Sequence, residues 1–382
     1  MLPCAALKGD NPETRDKFTM KGVKMSNKLM KIGGVLAAVI AAAAWAQPGA
    51  AKTIKMVAVS AAPPIVTYVR ASKDYFMPEV SKRLAASGLD FKIEWTGAYS
   101  QSLAKFTEVF ETVEEGVAQL CLCLKTFEPS SLPLEQYLYM APFSGHTLNQ
   151  MESIDNAVRA KVPAMNKALL KRNHVYLASG GSPSMQLFTK FPVRRFEDLK
   201  GRKIGASGSM GHWLRGTGAV IVNANMAASF TDIRNGLYEG YPISVTLAFP
   251  YKTYEAAKQL TRVNFGVSAT SFLTVNRDTW DGFPPKVQQI FRDVAKGWGP
   301  FQAKIDTAKH AKFLGIMKKK GVKANDMSEA ERRRWAMAMP NIAKEWADKL
   351  EARKIPGRAV LTAFMDELRS RKIKVARHWD RE

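Results

Sequence analysis

Beyond about residue 52, the chain alternates between two patterns of apolar and polar positions. Short apolar runs predict strands over residues 54–61, 91–97, 117–124, 174–179, 185–191, 219–223, 243–249 and 265–276. Between them, apolar residues spaced by three and four positions predict helices, such as the one from Leu103 to Val113 that ends at Gly116. Strands that alternate with helices are typical of an α/β protein with largely parallel sheets.

The last part of the chain has helical patterns only. Pro284 and Pro285 suit the first turn of a helix, whose apolar stripe comprises Val287, Ile290, Phe291, Val294, Ala295 and Trp298. Beyond Trp298 the spacing predicts helices up to the C-terminus.

Two groups of strands, one on each side of about residue 182, predict two α/β lobes. The chain has 382 residues, 46% of them hydrophobic, and chains of this length generally divide into domains. Two lobes leave a cleft, and ligands of such sheets bind in crevices at the carboxyl ends of strands. We therefore expect a binding site between the lobes.

The N-terminal segment has the layout of an export signal. Met25 opens a short positive stretch with Lys28 and Lys31, followed by an apolar run over residues 32–45. At about 14 residues, this run is shorter than the roughly 20 that a membrane-spanning helix needs. We predict that residues 25–51 are a signal peptide, that residues 1–24 are a non-native or untranslated extension, and that the mature protein is periplasmic.

The chain is strongly basic, with 57 lysines and arginines, 34 aspartates and glutamates, and a formal charge of +23. Lysines or arginines occupy all of residues 318–320 and 332–334. These runs lack zinc-finger spacing, an aromatic RNA-binding motif and basic heptads, which favours a solvated basic surface. We expect no nucleic-acid partner.

The residues predict neither a catalytic nor a metal-binding set. The five histidines lack the i, i+4 spacing of a helical metal site and have no cysteine or carboxylate cluster nearby. Residues 205–209 resemble a nucleophile elbow, but Ser209 stands where that motif needs a glycine after Ser207. We expect no enzyme, no metal and no cofactor, and a hydrolase that uses Ser207 or Ser209 is the weaker alternative.

Two cysteines lie in the apolar run 120–124, at Cys121 and Cys123. Side chains two residues apart in a strand point to the same face. Both are therefore predicted to be buried packing thiols, in preference to a redox or metal pair.

Several motifs, taken in order, resemble one family of exported proteins. Residues 198–204 read DLKGRKI, and Gly218-Ala219, NGLYEG at 235–240, YEAAK at 254–258 and VNRDTWDGFP at 275–284 follow. Upstream stand FETVEEG at 110–116 and Pro142-Phe143. Over residues 54–300 this set resembles the solute-binding proteins of TRAP (tripartite ATP-independent periplasmic) transporters, the kind first known for C4-dicarboxylates.

The resemblance implies a hinged, two-lobed clamshell that closes on one small organic molecule, usually a carboxylate. It implies a first lobe of residues 52–182 plus 271–308, and a second of residues 183–270 plus 309–382 with the C-terminal helices. The crossings then fall near Gly180-Gly181 and Ala269-Thr270, where small residues suit a hinge. The implied partner is a TRAP-type membrane permease, and we expect a monomer.

One departure from the family concerns the ligand site. In most members an arginine follows the Lys-Ile step and binds the ligand carboxylate through two parallel hydrogen bonds. Gly205 stands at that position here, and Gly240 is not followed by the family's Val-Asp-Gly. Losing a buried charged hydrogen bond without replacement weakens binding by about 10-fold to 150-fold.

Two replacements for this arginine stay open. In the first, backbone N–H groups of Ser207, Gly208 and Ser209 hold a carboxylate at the start of a helix, and Gly205 makes room for it. In the second, the ligand is neutral or aromatic and stacks on rings at strand ends. The candidate rings are Tyr99, Trp213, Phe249 and Tyr251, and the candidate replacement charges are Arg70, Arg194 and Arg215.

The leading hypothesis is a periplasmic TRAP-type receptor for a small organic acid or a related metabolite. The alternative is the same scaffold acting as a ligand sensor or partner-binding protein without transport. A gene for a multi-span permease next to this one would favour delivery over sensing.

Overall fold

Eleven strands form two mixed sheets in the computed structural model, which describes residues 52–382. The strands are β1 Lys52–Val59, β2 Phe91–Ala98, β3 Leu120–Leu124, β4 His174–Ser182, β5 Gln186–Thr189, β6 Lys203–Ala206, β7 Val220–Asn223, β8 Gly240–Ile243, β9 Gln259–Arg262, β10 Ser268–Asn276 and β11 Lys323–Asp326. The predicted signal peptide (25–51) and N-terminal extension (1–24) lie outside the described residues.

Fifteen α-helices connect or cover these strands in the described part of the chain. They are α1 Thr67–Ala71, α2 Met77–Ala86, α3 Val109–Glu114, α4 Tyr137–Met140, α5 Leu148–Lys161, α6 Ala164–Lys171, α7 Ser229–Arg234, α8 Val245–Ala248, α9 Thr253–Ala256, α10 Arg277–Asp281, α11 Pro285–Ala295, α12 Trp298–Lys319, α13 Glu329–Ala338, α14 Ile342–Glu351 and α15 Gly357–Ser370. A π-helical turn, Ser72–Phe76, joins α1 to α2.

The first sheet has the strand order β2-β1-β3-β10-β4. β1 runs parallel to β2 along its whole length, with Lys52 opposite Phe91 and Val59 opposite Ala98. β10 runs antiparallel to both of its neighbours, β3 and β4.

The second sheet has the order β11-β9-β5-β8-β6-β7, in which β5 runs antiparallel to β8 and β9. The chain passes between the sheets three times, and β5, β10 and β11 are the first strands after these passages. Each sheet therefore contains one reversed strand, and the α/β class is confirmed with mixed rather than largely parallel sheets.

Two of the three passages between the sheets lie side by side. Residues 183–185 join β4 to β5, and residues 263–267 join β9 to β10. The Met185 N–H donates to the carbonyl of Gly266 at 3.3 Å, and the Phe265 N–H donates to the carbonyl of Met185 at 3.1 Å. Two pairs of small residues, 180–181 and 269–270, were expected at the crossings. They lie inside the paired strands β4 and β10 instead.

Close packing explains the glycines at 180 and 181. A Cβ at Gly180 would lie 1.8 Å from Gln302 Oε1, and one at Gly181 would lie 2.5 Å from Leu148 Cδ1. These two residues lie on α12 and α5. Because these two positions of β4 carry no side chain, both helices can approach the strand.

Several strand predictions are confirmed to within a few residues, whereas the strand predicted over residues 243–249 is wrong. β8 ends at Ile243, and Ser244 begins α8 by accepting a hydrogen bond from the Leu247 N–H at 3.3 Å. The predicted helix from Leu103 begins only at Val109. The strands β6, β9 and β11 were not predicted, and each has only four residues.

Two apolar cores hold the fold together. One surrounds the first sheet and extends into the second through residues such as Tyr238 and Tyr241. The other joins α4 and α5 to the second sheet and the C-terminal helices, and it contains Trp213, Trp335 and Trp379. No described helix is long and apolar enough to cross a bilayer.

The cysteines of β3 are buried, as predicted. Cys121 and Cys123 have their Cα atoms 5.4 Å apart, and both side chains lie in the core.

Candidate functional site

A cavity of about 40 Å³ lies between the two sheets. Thr67 follows β1 and Thr126 follows β3 on the side of the first sheet, while Ser207 follows β6 and Thr246 follows β8 on the side of the second. The cavity therefore lies at the carboxyl ends of parallel strands from both sheets, where α/β proteins generally bind their ligands.

The cavity is small and largely apolar. Its volume holds roughly three water molecules. Flexible apolar side chains, Met185, Met210 and Met226, form much of its second-sheet side. A solute larger than a few atoms therefore requires the two sides to separate or these side chains to move.

Asp306, on α12, is the charged residue among those that line the cavity. It is 2% exposed, and one carboxylate oxygen accepts a hydrogen bond from the Thr67 hydroxyl at 2.7 Å. Thr246 hydrogen-bonds the same carboxylate from the side of the second sheet. Asp306 thus contacts elements of both sheets.

Burial raises the pKa of Asp306 to about 6, against the hydrogen bonds from Thr67 and Thr246 that favour the charged form. Lys309, one turn further along α12, lowers this pKa only weakly, and its ammonium donates to the carbonyl of Ile65 at 2.8 Å. No lysine or arginine lies among the described residues that line the cavity.

Two hydroxyl groups near the cavity lack a partner. Thr126 lines the cavity, is 5% exposed, and its hydroxyl makes no hydrogen bond. The buried hydroxyl of Tyr251 is also unpaired, and its electrostatic neighbours are Tyr68 and Tyr241. Unpaired buried hydroxyls are costly, and ligand atoms are one way to satisfy them.

Of the seven predicted site residues, Ser207 lines the cavity and the other six do not. The Ser207 hydroxyl donates to the carbonyl of Ala224 at 2.7 Å and also contacts the Tyr241 hydroxyl. Tyr251 does not line the cavity, but it interacts electrostatically with Tyr241, the partner of Ser207.

Gly205 does not line the cavity and packs against Tyr238. A Cβ at Gly205 would lie 2.6 Å from the Tyr238 ring, whose hydroxyl donates to Asp232 at 3.2 Å. The space beside Gly205, where the sequence resemblance implies an arginine, is therefore filled by a tyrosine from the segment before β8.

The remaining predicted residues have other partners. The Ser209 hydroxyl donates to Gln136 Oε1 at 2.9 Å, and the Trp213 indole donates to the carbonyl of Tyr139 at 2.6 Å. Phe249 stacks on Phe313 with ring centroids 4.0 Å apart. The Tyr99 hydroxyl lies 3.8 Å from the sulfur of Met77.

The predicted helix after Ser207 is a 3-10 helix over Gly208–Leu214. Arg70 pairs with Asp74 at 2.8 Å and Arg215 with Glu345 at 2.6 Å, and neither arginine lines the cavity. Arg194 does not line it either. Among the described residues, the chain thus brings no cation to this site.

The arrangement contains no catalytic set around the two serines. Ser207 and Ser209 have tyrosine, carbonyl and glutamine partners, whereas a serine nucleophile needs a general base such as histidine. In the part of the chain that the structure describes, no three His, Cys, Asp or Glu side chains are grouped to hold a metal ion.

A second buried charged group lies next to the cavity. Lys125 and Arg159 surround Asp155 and Glu135, with Lys125 Nζ 2.9 Å from Glu135 Oε2 and Arg159 Nε 2.8 Å from Asp155 Oδ2. Tyr137 donates to Asp155 Oδ1 at 2.7 Å. These two cations and two anions, all at most 3% exposed, form a neutral network beside Thr126.

Sequence reasoning missed Asp306. Trp298, Gln302 and Asp306 follow at intervals of four on α12, and all three are buried. An acidic residue that continues the buried stripe of a helix is the signal that could have identified it.

Comparison with protein families gives a match over residues 91–349 to the model described as "Bacterial extracellular solute-binding protein, family 7". No curated protein sequence matches the chain.

Solved structures with similar folds include a TRAP periplasmic solute-binding protein from Desulfovibrio salexigens, which is 20% identical, covers 84% of this chain and 98% of its own, and has a TM-score of 0.71. DctP6 of Bordetella pertussis, an extracytoplasmic solute receptor binding pyroglutamic acid, is 20% identical over 82% of this chain and 100% of its own, with a TM-score of 0.71. A Chromohalobacter salexigens TRAP protein with bound D-glucuronate is 15% identical over 83% and 99%, also at 0.71.

Proposed function

Because the chain belongs to the bacterial extracellular solute-binding proteins of family 7, we propose that it receives one small organic metabolite and delivers it to a TRAP-type membrane permease. The protein is a transport receptor and not an enzyme. The similar proteins from Bordetella pertussis and Chromohalobacter salexigens bind pyroglutamate and D-glucuronate, which supports an organic acid or a related metabolite as the solute.

The cavity between the two sheets is the observation that carries this proposal. It is lined from both sheets at the carboxyl ends of their strands, and separation of the two sides would enlarge it into a cleft for a small solute. The proposed polar contacts are Ser207, on the side of the second sheet, and Thr67 and Thr126, on the side of the first. Tyr251 is proposed to join them when the cleft opens and closes.

We assign the lobes as residues 52–182 plus 271–308 and residues 183–270 plus 309–382. The membership of the two sheets supports this division, since β11 and β5 to β9 form one sheet and the other strands form the second. The paired crossings at 183–185 and 263–267 are the proposed hinge. Closure about such a hinge is the usual way in which two-lobed receptors enclose a ligand.

The family is extracellular, and residues 25–51 are the proposed signal that exports this member. We also propose that the receptor acts as a monomer without nucleic acid. N-terminal sequencing of the protein purified from the periplasm tests the signal, with a mature start after residue 46 or 51 as the expected result.

A thermal-shift screen of the purified protein tests the receptor function. The screen contains organic acids, amino acids, amines, sugars and aromatic acids. A ligand at 100 times its dissociation constant stabilises the folded state by about 2.7 kcal/mol, which raises the Tm measurably.

Small-angle X-ray scattering then measures the radius of gyration with and without the strongest hit. The proposal predicts a smaller radius of gyration with the solute. A screen without any stabilising compound, or a particle that keeps its dimensions with a bound compound, would contradict it.

A further inference from the structure

The cavity contains a buried carboxylate that the chain leaves without a counter-ion. Asp306 is 2% exposed and, within residues 52–382, makes hydrogen bonds to hydroxyl groups but no ion pair. A charge removed from water needs an opposite charge or a proton in its place. The residues that line the cavity supply no such cation.

The charged groups around Asp306 are already engaged. Lys309, on the same helix, donates to the carbonyl of Ile65, and Arg70, on α1, binds Asp74. From the first sheet, Tyr68 shares a hydrogen bond with Ser60 at 3.1 Å. From the second sheet, the facing group is the neutral hydroxyl of Thr246. None of these groups forms an ion pair with the carboxylate, and the attraction of Lys309 lowers its pKa only weakly.

An independent observation at the same cavity points to a ligand. The Thr126 hydroxyl is more than nine-tenths buried, lines the cavity and has no hydrogen-bond partner. It lies at the end of β3, whereas Asp306 lies on α12. The cavity thus has two polar groups from different elements that can bind a solute.

We propose that the solute carries a protonated amino group and that Asp306 binds this group as its counter-ion. This inference rests on the proposed function, because it names the chemical class of the solute. Thr126 provides a second hydrogen bond, and Met185, Met210 and Met226 contact the apolar part of the molecule. An organic acid fits the site when it also carries an amino group, whereas a simple carboxylate meets a like charge at Asp306.

The positive net charge of the chain does not oppose this selectivity strongly. Surface charges act over about 8 Å at physiological ionic strength, whereas a pair inside the cavity is screened much less. The carboxylate in contact with the solute therefore decides which charge is bound.

Matched probes that differ in one group test the proposal. Isothermal titration calorimetry with the wild-type protein compares butylamine, butyrate and butanol, and then 2-phenylethylamine, 3-phenylpropionate and 2-phenylethanol. The metabolite screen described above runs in parallel. We expect the amine of each set to bind most tightly, and we expect the hits of the screen to carry an amino group.

The pH dependence of the wild-type protein provides a readout that needs no variant. Aliphatic amines stay protonated below about pH 9, so their affinity should rise between pH 5 and pH 8 as Asp306 loses its proton. A carboxylate bound at the same place should show the opposite trend.

Asp306→Asn removes the charge and keeps the shape, and Asp293→Asn, on an exposed position of α11, is the control with the same change in net charge. We expect Asp306→Asn to weaken amine binding by roughly 30-fold or more, and the control to leave it unchanged. Carboxylate probes that bind as tightly as amines, or amine binding that Asp306→Asn does not change, would overturn the inference while leaving the receptor function intact. A screen without any hit overturns the receptor function, and this inference with it.

Discussion

Asp155 and Asp306 are both buried carboxylates, and they differ in their partners. Asp155 lies between Lys125 and Arg159, within a network whose charges cancel. Asp306 lies at a cavity and has only hydroxyl partners. The first arrangement belongs to the scaffold, because it is complete within the chain, whereas the second is complete only with a solute.

The two environments shift the carboxylate pKa in opposite directions. Burial alone raises the pKa of Asp155, but Arg159 and Lys125 outweigh it and hold the pKa well below its usual range. Burial raises the pKa of Asp306 to about 6, because nothing comparable opposes it. Removing the charge at the two sites should therefore have opposite effects on stability.

The largest effect is expected for Asp155→Asn. This change leaves Lys125 and Arg159 buried with Glu135 as their remaining anion. Breaking a buried ion pair on one side costs about 3–5 kcal/mol. We expect the Tm from differential scanning calorimetry to fall by about 6–20 °C, since each kcal/mol corresponds to about 2–4 °C in domains of about 150–250 residues. A fall of less than about 2 °C would show that the network does not stabilise the fold.

Asp306→Asn should have the opposite sign, and the difference should depend on pH. Below pH 3.8 an aspartate is protonated in both states and contributes nothing. Between pH 3.8 and about 6 the unfolded chain loses its proton first, so the wild type loses stability as the pH rises. Above that range the loss is complete and amounts to about 3 kcal/mol.

Urea denaturation of the wild type and of Asp306→Asn at pH 4 and pH 8 measures this difference. We expect the variant to gain about 3 kcal/mol relative to the wild type between these two pH values. The difference in unfolding free energy between the two proteins at each pH removes the contributions of other buried groups. One such group is His174, because burial lowers its pKa to about 3. A variant that is less stable at pH 8 would show that Asp306 holds the lobes together structurally.

Gly205→Arg sharpens the comparison, because it introduces the arginine that the sequence resemblance implies at this position without giving Asp306 a counter-ion. The new side chain would meet the Tyr238 ring, so we expect a loss of about 1–3 kcal/mol of stability and no gain in carboxylate binding. Gly315→Ala, on α12 with no atom within 4 Å of the new Cβ, is the control and should stabilise by about 0.5–1 kcal/mol. Tighter binding of carboxylates by a stable Gly205→Arg protein would contradict our description of this position.

The smallest effect is expected for Thr67→Val, which removes one hydroxyl donor from Asp306. The ionised carboxylate then loses a hydrogen bond, so stability at pH 8 should fall by about 1 kcal/mol and stability at pH 4 should change less. Thr112→Val, where the exposed hydroxyl bonds a helix carbonyl, is the control. An equal loss at both pH values would mean that the Thr67 hydroxyl does not act through the charge of Asp306.

The sequence predicts the fold well where elements are long and apolar. β2 and β4 begin at the predicted residues, and α11 begins at the predicted prolines. β11 was missed because its sequence, KAND, is polar, and it is recognised only through its pairing with β9. The strand predicted over residues 243–249 was wrong because its apolar residues continue from β8 into α8. The helix N-cap at Ser244 was not considered.

The candidate site was less predictable, because it depends on contacts between distant segments. The motif 198–204 leads into β6, and Ser207, which follows that strand, lines the cavity. Asp306 stands about 100 positions further along the chain. Its partner Thr67 is separated from it by 239 positions. Aromatic residues at strand ends were predicted as ligand contacts, but Phe249 and Trp213 are packed among other rings.

A crystal structure of the protein with the strongest hit of the metabolite screen tests the central claim most directly. The account predicts the solute between the two sheets, in contact with Ser207 and Thr126, with a nitrogen atom within hydrogen-bond distance, about 3 Å, of an Asp306 carboxylate oxygen. A solute bound outside this cavity, or one that places a carboxylate against Asp306, would contradict the account.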